Sequence, residues 1–125
     1  MQLEQVVPWG RNASEYRRMF ALTDEEVGGR ILGCGDGPAS FNAELTREGY
    51  QVTSVDPIYA FSGAEIRARV GATYESIISQ VKARPERYVW REFANPDLLG
   101  EARLAAMENF LADYEDGKAA GRYVE

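Results

Sequence analysis

The stretch RILGCGDGPASF, residues 30–41, carries the signals of a strand, a tight turn and a helix start in that order. Apolar Ile31 and Leu32 run into the alternating glycines Gly33, Gly35 and Gly37, and Pro38, Ala39 and Phe41 begin a helical pattern. RILGC reads as a short buried strand. Pro38 suits the first helical position, where its missing N–H has no partner to lose. Ala39, Phe41 and Leu45 make one apolar face, and Gly49 stands where a helix C-terminus takes positive φ. YQVTSVD follows as a second strand ending on Asp56. Strand, glycine loop, helix and strand in this order form the opening half of a parallel α/β unit, residues 30–56.

Working outward, Asn12 and Glu15 have capping-box spacing, and Tyr16, Met19 and Phe20 recur at helical intervals, so a leader helix is expected over about 12–21. Thr23 and Glu26 repeat the capping signal before Gly28 and Gly29 stop the chain. Downstream, residues 62–116 read as helical. Ser62 and Glu65 cap a helix whose apolar face is Ile66, Val70, Tyr74, Ile77, Ile78 and Val81, with a bend expected at Gly71. Pro85 opens a short helix carrying Val89, Trp90 and Phe93. Asn95 and Pro96 then cap a long helix with Leu104, Met107, Phe110, Leu111 and Tyr114 on one face. Within GRYVE, residues 121–125, lies the remaining candidate strand.

A chain of 125 residues buries one modest core, so residues 1–125 are expected to form a single domain. The net charge of −6 disfavours a nucleic-acid surface, which needs a surplus of Lys and Arg to displace counterions. No apolar run reaches membrane-span length and the start lacks the parts of a secretory signal, so no membrane partner and a cytoplasmic location are expected. One cysteine excludes an intrachain disulfide, and the absence of histidine removes the usual neutral-pH base and leaves only carboxylates for any metal. No metal site is expected. Glu108, Asp113, Glu115 and Asp116 read as a solvated helix face.

Alternating glycines mark plain turns as well as ligand loops, and context separates the two. Gly33, Gly35 and Gly37 lie at a strand exit, where a ligand can approach bare backbone, and Asp56 follows about twenty residues on, where a carboxylate can accept ribose hydroxyls. Asp56 can also simply start an Asp-Pro turn. Asp36 inside the loop, with no Gly-Lys-Ser/Thr after it, repels a pyrophosphate, whereas a sulfonium and an ammonium tolerate a nearby carboxylate. Cys34 reads as a small buried residue, because no histidine or lysine stands near it in sequence. Trp9, Arg11 and Tyr16 are either core or a lid over the ligand.

ILGCGDGPASF followed by VTSVDP resembles motif I and the second-strand acidic motif of class I S-adenosylmethionine-dependent methyltransferases. PWGRNASEYRRMFAL, residues 8–22, is similar to a leader helix in some bacterial members. The resemblance implies an α/β, Rossmann-like partial parallel sheet of two to three strands with flanking helices and a helical insertion before the last strand. It also implies a cofactor-binding half lacking the substrate-facing strands. S-adenosylmethionine is the implied cofactor, with S-adenosylhomocysteine as product. Gly33, Gly35 and Gly37 would lie along the methionine moiety, with Cys34 and Asp36 in the same loop. Asp56 would hold the ribose, with Pro57 and Ile58 beside the adenine. Where the family has an acid two residues before the first glycine, this chain has Ile31, and no residue can be named as catalytic. A sheet whose first strand lacks a neighbour has an open edge, so a homodimer is expected, pairing first strand to first strand or exchanging helices, with a helix folded over the edge as the alternative. Two further readings are a non-catalytic nucleoside-binding or interaction module and a dinucleotide-binding fragment.

Overall fold

The computed structural model describes residues 9–87 and 93–125. Val89 and Trp90, expected with Phe93 on a short helix opening at Pro85, lie outside the described residues; Pro85–Arg87 form a 3₁₀ turn and Phe93 lies outside any helix. The chain runs α1 (Ala13–Met19), α2 (Asp24–Val27), β1 (Arg30–Cys34), α3 (Phe41–Arg47), β2 (Gln51–Val55), a 3₁₀ turn at Pro57–Ala60, α4 (Gly63–Ala83), α5 (Pro96–Ala119) and β3 (Tyr123–Val124). The three strands form one parallel sheet in the order β1-β2-β3, Ile31 pairing with Val52 and Ser54 with Tyr123. The fold is therefore α/β, with a three-stranded parallel sheet and flanking helices.

Local chemistry explains most boundaries. The expected capping boxes at Asn12–Glu15, Thr23–Glu26 and Ser62–Glu65 are all formed, each satisfying amide donors that a helix start leaves free. Asn95 caps α5 through the Leu98 amide, with Pro96 in the first turn. Two expectations shift. α3 starts at Phe41 rather than Pro38, because the turn needed after Gly37 consumes Pro38 and Ala39. α4 runs through Gly71 without interruption, since nothing crowds that position and neighbouring residues carry the hydrogen-bond ladder.

The helices gather on one face of the sheet. Ile31 and Val52 pack with Val27, Phe41 and Leu45 in one cluster. Tyr123 packs with Tyr59, Ile66, Val70, Met107, Phe110 and Tyr114 in the other. Asn42 joins them at the sheet: its buried amide donates to the Val52 carbonyl, Ser54 Oγ and the Arg122 carbonyl, so α3, β2 and the start of β3 share one side chain. Glu15 on α1 and Arg103 on α5 form a buried ion pair at 2.6 Å. Such a pair adds little net stability but holds the two helices in one register.

Among the described residues, no element packs over the opposite face. Strand alternation puts Leu32, Cys34, Thr53, Val55 and Val124 there, with Leu32 63% and Val124 43% exposed. β1 is thus not the buried strand its apolar run suggests, and Cys34 is exposed rather than buried. Both corrections have one cause: periodicity cannot say whether a second layer covers a strand.

Candidate functional site

The loop after β1 turns twice through left-handed backbone, at Gly35 (φ +73°) and Gly37 (φ +53°), conformations that favour glycine. The Gly35 amide still donates to the Val55 carbonyl at 2.8 Å, so the turn begins flush with the end of β2. Gly33 serves a different need. A Cβ there would fall 1.9 Å from Asp36 Oδ2, so the vacancy is filled by the loop's own carboxylate.

Asp36 points inward and is 7% exposed. It accepts hydrogen bonds from Ser54 Oγ at 2.6 Å and from the Tyr16 hydroxyl at 3.1 Å. Burial, together with the charge of Asp36 and its hydrogen bond, pushes the Tyr16 phenol well above its ordinary pKa of 10.0. Tyr16 is therefore a support beneath the loop rather than a lid. Asp56 grips the loop from the other side: Oδ2 accepts from the Gly37 amide at 2.9 Å and Oδ1 from the Ile58 amide at 2.8 Å. The turn-starting role and a ligand role are compatible, because each carboxylate oxygen keeps a second lone pair. Tyr59 completes the clamp, its hydroxyl donating to the Gly37 carbonyl at 2.8 Å.

Between these parts lies a cavity of about 480 Å³. Its floor is Gly35, Asp36, Gly37 and Pro38, one wall is Asp56, Pro57 and Ile58, and the other is Trp9, Phe61 and Arg69. Of the residues expected at the site, the cavity thus gathers six. Gly33 faces the helical layer and Cys34 the open face, so neither lines it. Sequence reasoning missed Phe61 and Arg69, which carry no local motif; the Arg69 guanidinium lies 5.6 Å from the centre of the Phe61 ring. Trp9, weighed as core or lid, does line the cavity while stacking on Tyr74 at 6.4 Å.

The amino end of α3, where a loop of this kind often offers amides to phosphate, is closed. The Ser40 amide donates to the Arg11 carbonyl at 2.9 Å, and the Glu44 carboxylate accepts from Ser40 Oγ and from the Ala13 amide. Gly10 lies so close that a Cβ would fall 2.2 Å from the Pro38 carbonyl oxygen. The leader therefore seals the seat a pyrophosphate would use.

Among the described residues, no group of three or more His, Cys, Asp or Glu side chains is gathered as metal ligands would be. The acids of α5 are not simply a solvated face. Asp113 is held by both Arg122 nitrogens at 2.7 and 2.8 Å and by the Tyr123 hydroxyl at 2.7 Å. Glu115 accepts from the Gly63 amide at 2.8 Å. Among the described residues no helix is long and apolar enough to cross a membrane.

The chain is similar to the uncharacterized protein MJ0045 of Methanocaldococcus jannaschii, 30% identical over 125 residues. That match takes in 99% of this chain and 56% of the relative, so the chain spans little more than half the relative's length. No protein-family description matches the chain, and no solved structure matches it.

Proposed function

We propose that the chain is a Rossmann-like domain that binds S-adenosylmethionine, and that methyl transfer is the activity of the protein it serves. The observation that carries this reading is the cavity at the carboxyl ends of β1 and β2, floored by glycine backbone and walled by Asp56. Ligands of open parallel sheets sit in such crevices. Asp56 retains lone pairs for ribose hydroxyls, while Ile58, Phe61 and Trp9 offer apolar and aromatic surface to a purine. The Asp56 carboxylate at the cavity, the Asp36 carboxylate buried beneath its floor and the sealed amino end of α3 disfavour a dinucleotide and favour a cationic ligand without phosphate. When bound, S-adenosylmethionine supplies a methyl group on an already activated sulfonium, so positioning provides much of the rate.

The test is a calorimetric titration of the folded chain with S-adenosylhomocysteine. Saturable binding is expected, weakened about tenfold or more by Asp56→Ala, a loss of roughly 1.4 kcal/mol. Because Asp56 also anchors the loop, Phe61→Ala is the companion variant; it leaves both anchors in place and should weaken binding several-fold. Absence of saturable heat with the intact chain rejects the reading, and tighter binding of a nicotinamide dinucleotide transfers the site to that class. Binding without turnover on any methyl acceptor supports the non-catalytic module.

A further inference from the structure

The cavity residues Asp56, Pro57, Ile58 and Phe61 belong to one short segment, the 3₁₀ turn after β2 and the residues flanking it. The turn's own hydrogen bonds are local: the Tyr59 amide donates to the Asp56 carbonyl and the Phe61 amide to the Ile58 carbonyl. They set its curl but not how far Ile58 and Phe61 stand from the glycine loop. That spacing is held from α5.

Tyr114 is fully buried and does not line the cavity, yet its hydroxyl reaches the turn. It donates to the Phe61 carbonyl at 2.6 Å, and the Tyr59 carbonyl at 3.1 Å shares the same proton. The next residue of α5, Glu115, accepts from the Gly63 amide at 2.8 Å, so two successive side chains hold the backbone on either side of Ser62. Tyr59 carries the constraint on to the floor: its ring packs against Tyr114, and its hydroxyl donates to the Gly37 carbonyl. One helix thereby ties the Phe61 wall to the glycine loop.

We propose that Tyr114 and Glu115 are positioning residues of the cavity, holding Ile58 and Phe61 at the spacing a nucleoside ligand requires. The inference rests on the cofactor reading above and gives α5, none of whose residues lines the cavity, a share of the affinity. A site is only as well ordered as the packing and hydrogen bonds that lock its lining in place. A hydroxyl that served stability alone would have no such share, because the folded chain binds equally well whatever its margin over the unfolded one.

The test compares Tyr114→Phe with Tyr123→Phe. Each removes one hydroxyl from the same buried cluster and keeps the ring, but the Tyr123 hydroxyl goes to Asp113 and not to the turn. Binding of S-adenosylhomocysteine and of adenosine is measured by calorimetry, stability by urea melts, and the order of the turn by hydrogen exchange at the Phe61 and Gly63 amides. Both variants should lose stability. Tyr114→Phe alone should weaken both ligands, by about fivefold or more, and speed exchange at Phe61 and Gly63. Glu115→Ala, at an exposed position, should weaken binding about twofold to fivefold and carries the test if Tyr114→Phe does not fold. Unchanged affinity in these two variants overturns the proposal, as does an equal loss in Tyr123→Phe. Weakened binding with unaltered exchange at Phe61 also overturns it. If the parent chain binds neither ligand, the cofactor reading and this inference fall together; if it binds and the variants bind alike, this inference falls alone.

Discussion

Gly33 and Asp36 show how two residues of one motif can serve each other. The carboxylate sits where a Cβ of residue 33 would be, and its acceptance of Ser54 Oγ and the Tyr16 hydroxyl fixes it there. Gly33→Ala is therefore expected to destabilise the chain by about 1–3 kcal/mol, the usual range for overpacking a filled site. A urea-melt cycle with Asp36→Ser checks the cause: the penalty should shrink when the carboxylate is gone. The glycine spacing was legible because tight turns are local. The inward aim of Asp36 was not, because Ser54 and Tyr16 lie 18 residues ahead and 20 behind in the chain. Cys34 failed for the converse reason, its exposure depending on a layer that no local pattern describes.

At the scale of elements, β3 is two residues long and is secured mainly by what flanks it. Arg122 is bound in bidentate fashion to Asp113 and also donates to Asn42 Oδ1, while the Tyr123 hydroxyl shares the same carboxylate. Burial works against the charge of Asp113, but these hydrogen bonds and the Arg122 charge outweigh it, holding its carboxyl below the ordinary 3.8. A carboxylate with a depressed folded pKa contributes stability that is present above 3.8 and lost as pH falls through its folded value. Asp113→Asn should thus cost about 1–2 kcal/mol at neutral pH, with the gap from the parent chain closing below pH 3.8 in denaturant melts. The strand itself was legible from GRYVE, and its parallel place beside β2 agrees with a crossover connection through helices. The role of Asp113 was not legible, since four acids on one helix look alike until the fold selects one.

Over the whole molecule, the core between α5 and the sheet is built from phenols. Tyr59, Tyr114 and Tyr123 pack around Phe110 with ring centroids 5.1 to 6.1 Å apart. Burial and nearby carboxylates raise the pKa of Tyr59 and Tyr123, as they do that of Tyr16. Groups whose folded pKa is raised contribute stability that is whole below the unfolded value of 10.0 and declines as pH climbs beyond it. The chain should therefore unfold cooperatively in alkali above pH 10, with the ultraviolet signature of tyrosinate rising together with loss of helical circular dichroism. Tyrosinate appearing well before the helices melt would show these phenols to be open to solvent.

The sequence by itself determined the elements and their order: three capping boxes, an Asn-Pro helix start, a glycine turn between two strands and a late third strand. Each of these is a contest between neighbouring backbone and side-chain groups, settled within a few residues of chain. Only the tertiary structure decided which face of the sheet is covered, that Asp36 supports the loop from below, and that Trp9, Phe61 and Arg69 meet across the cavity. Those outcomes depend on contacts between residues tens of positions apart, where burial and handedness act and local preference has no say.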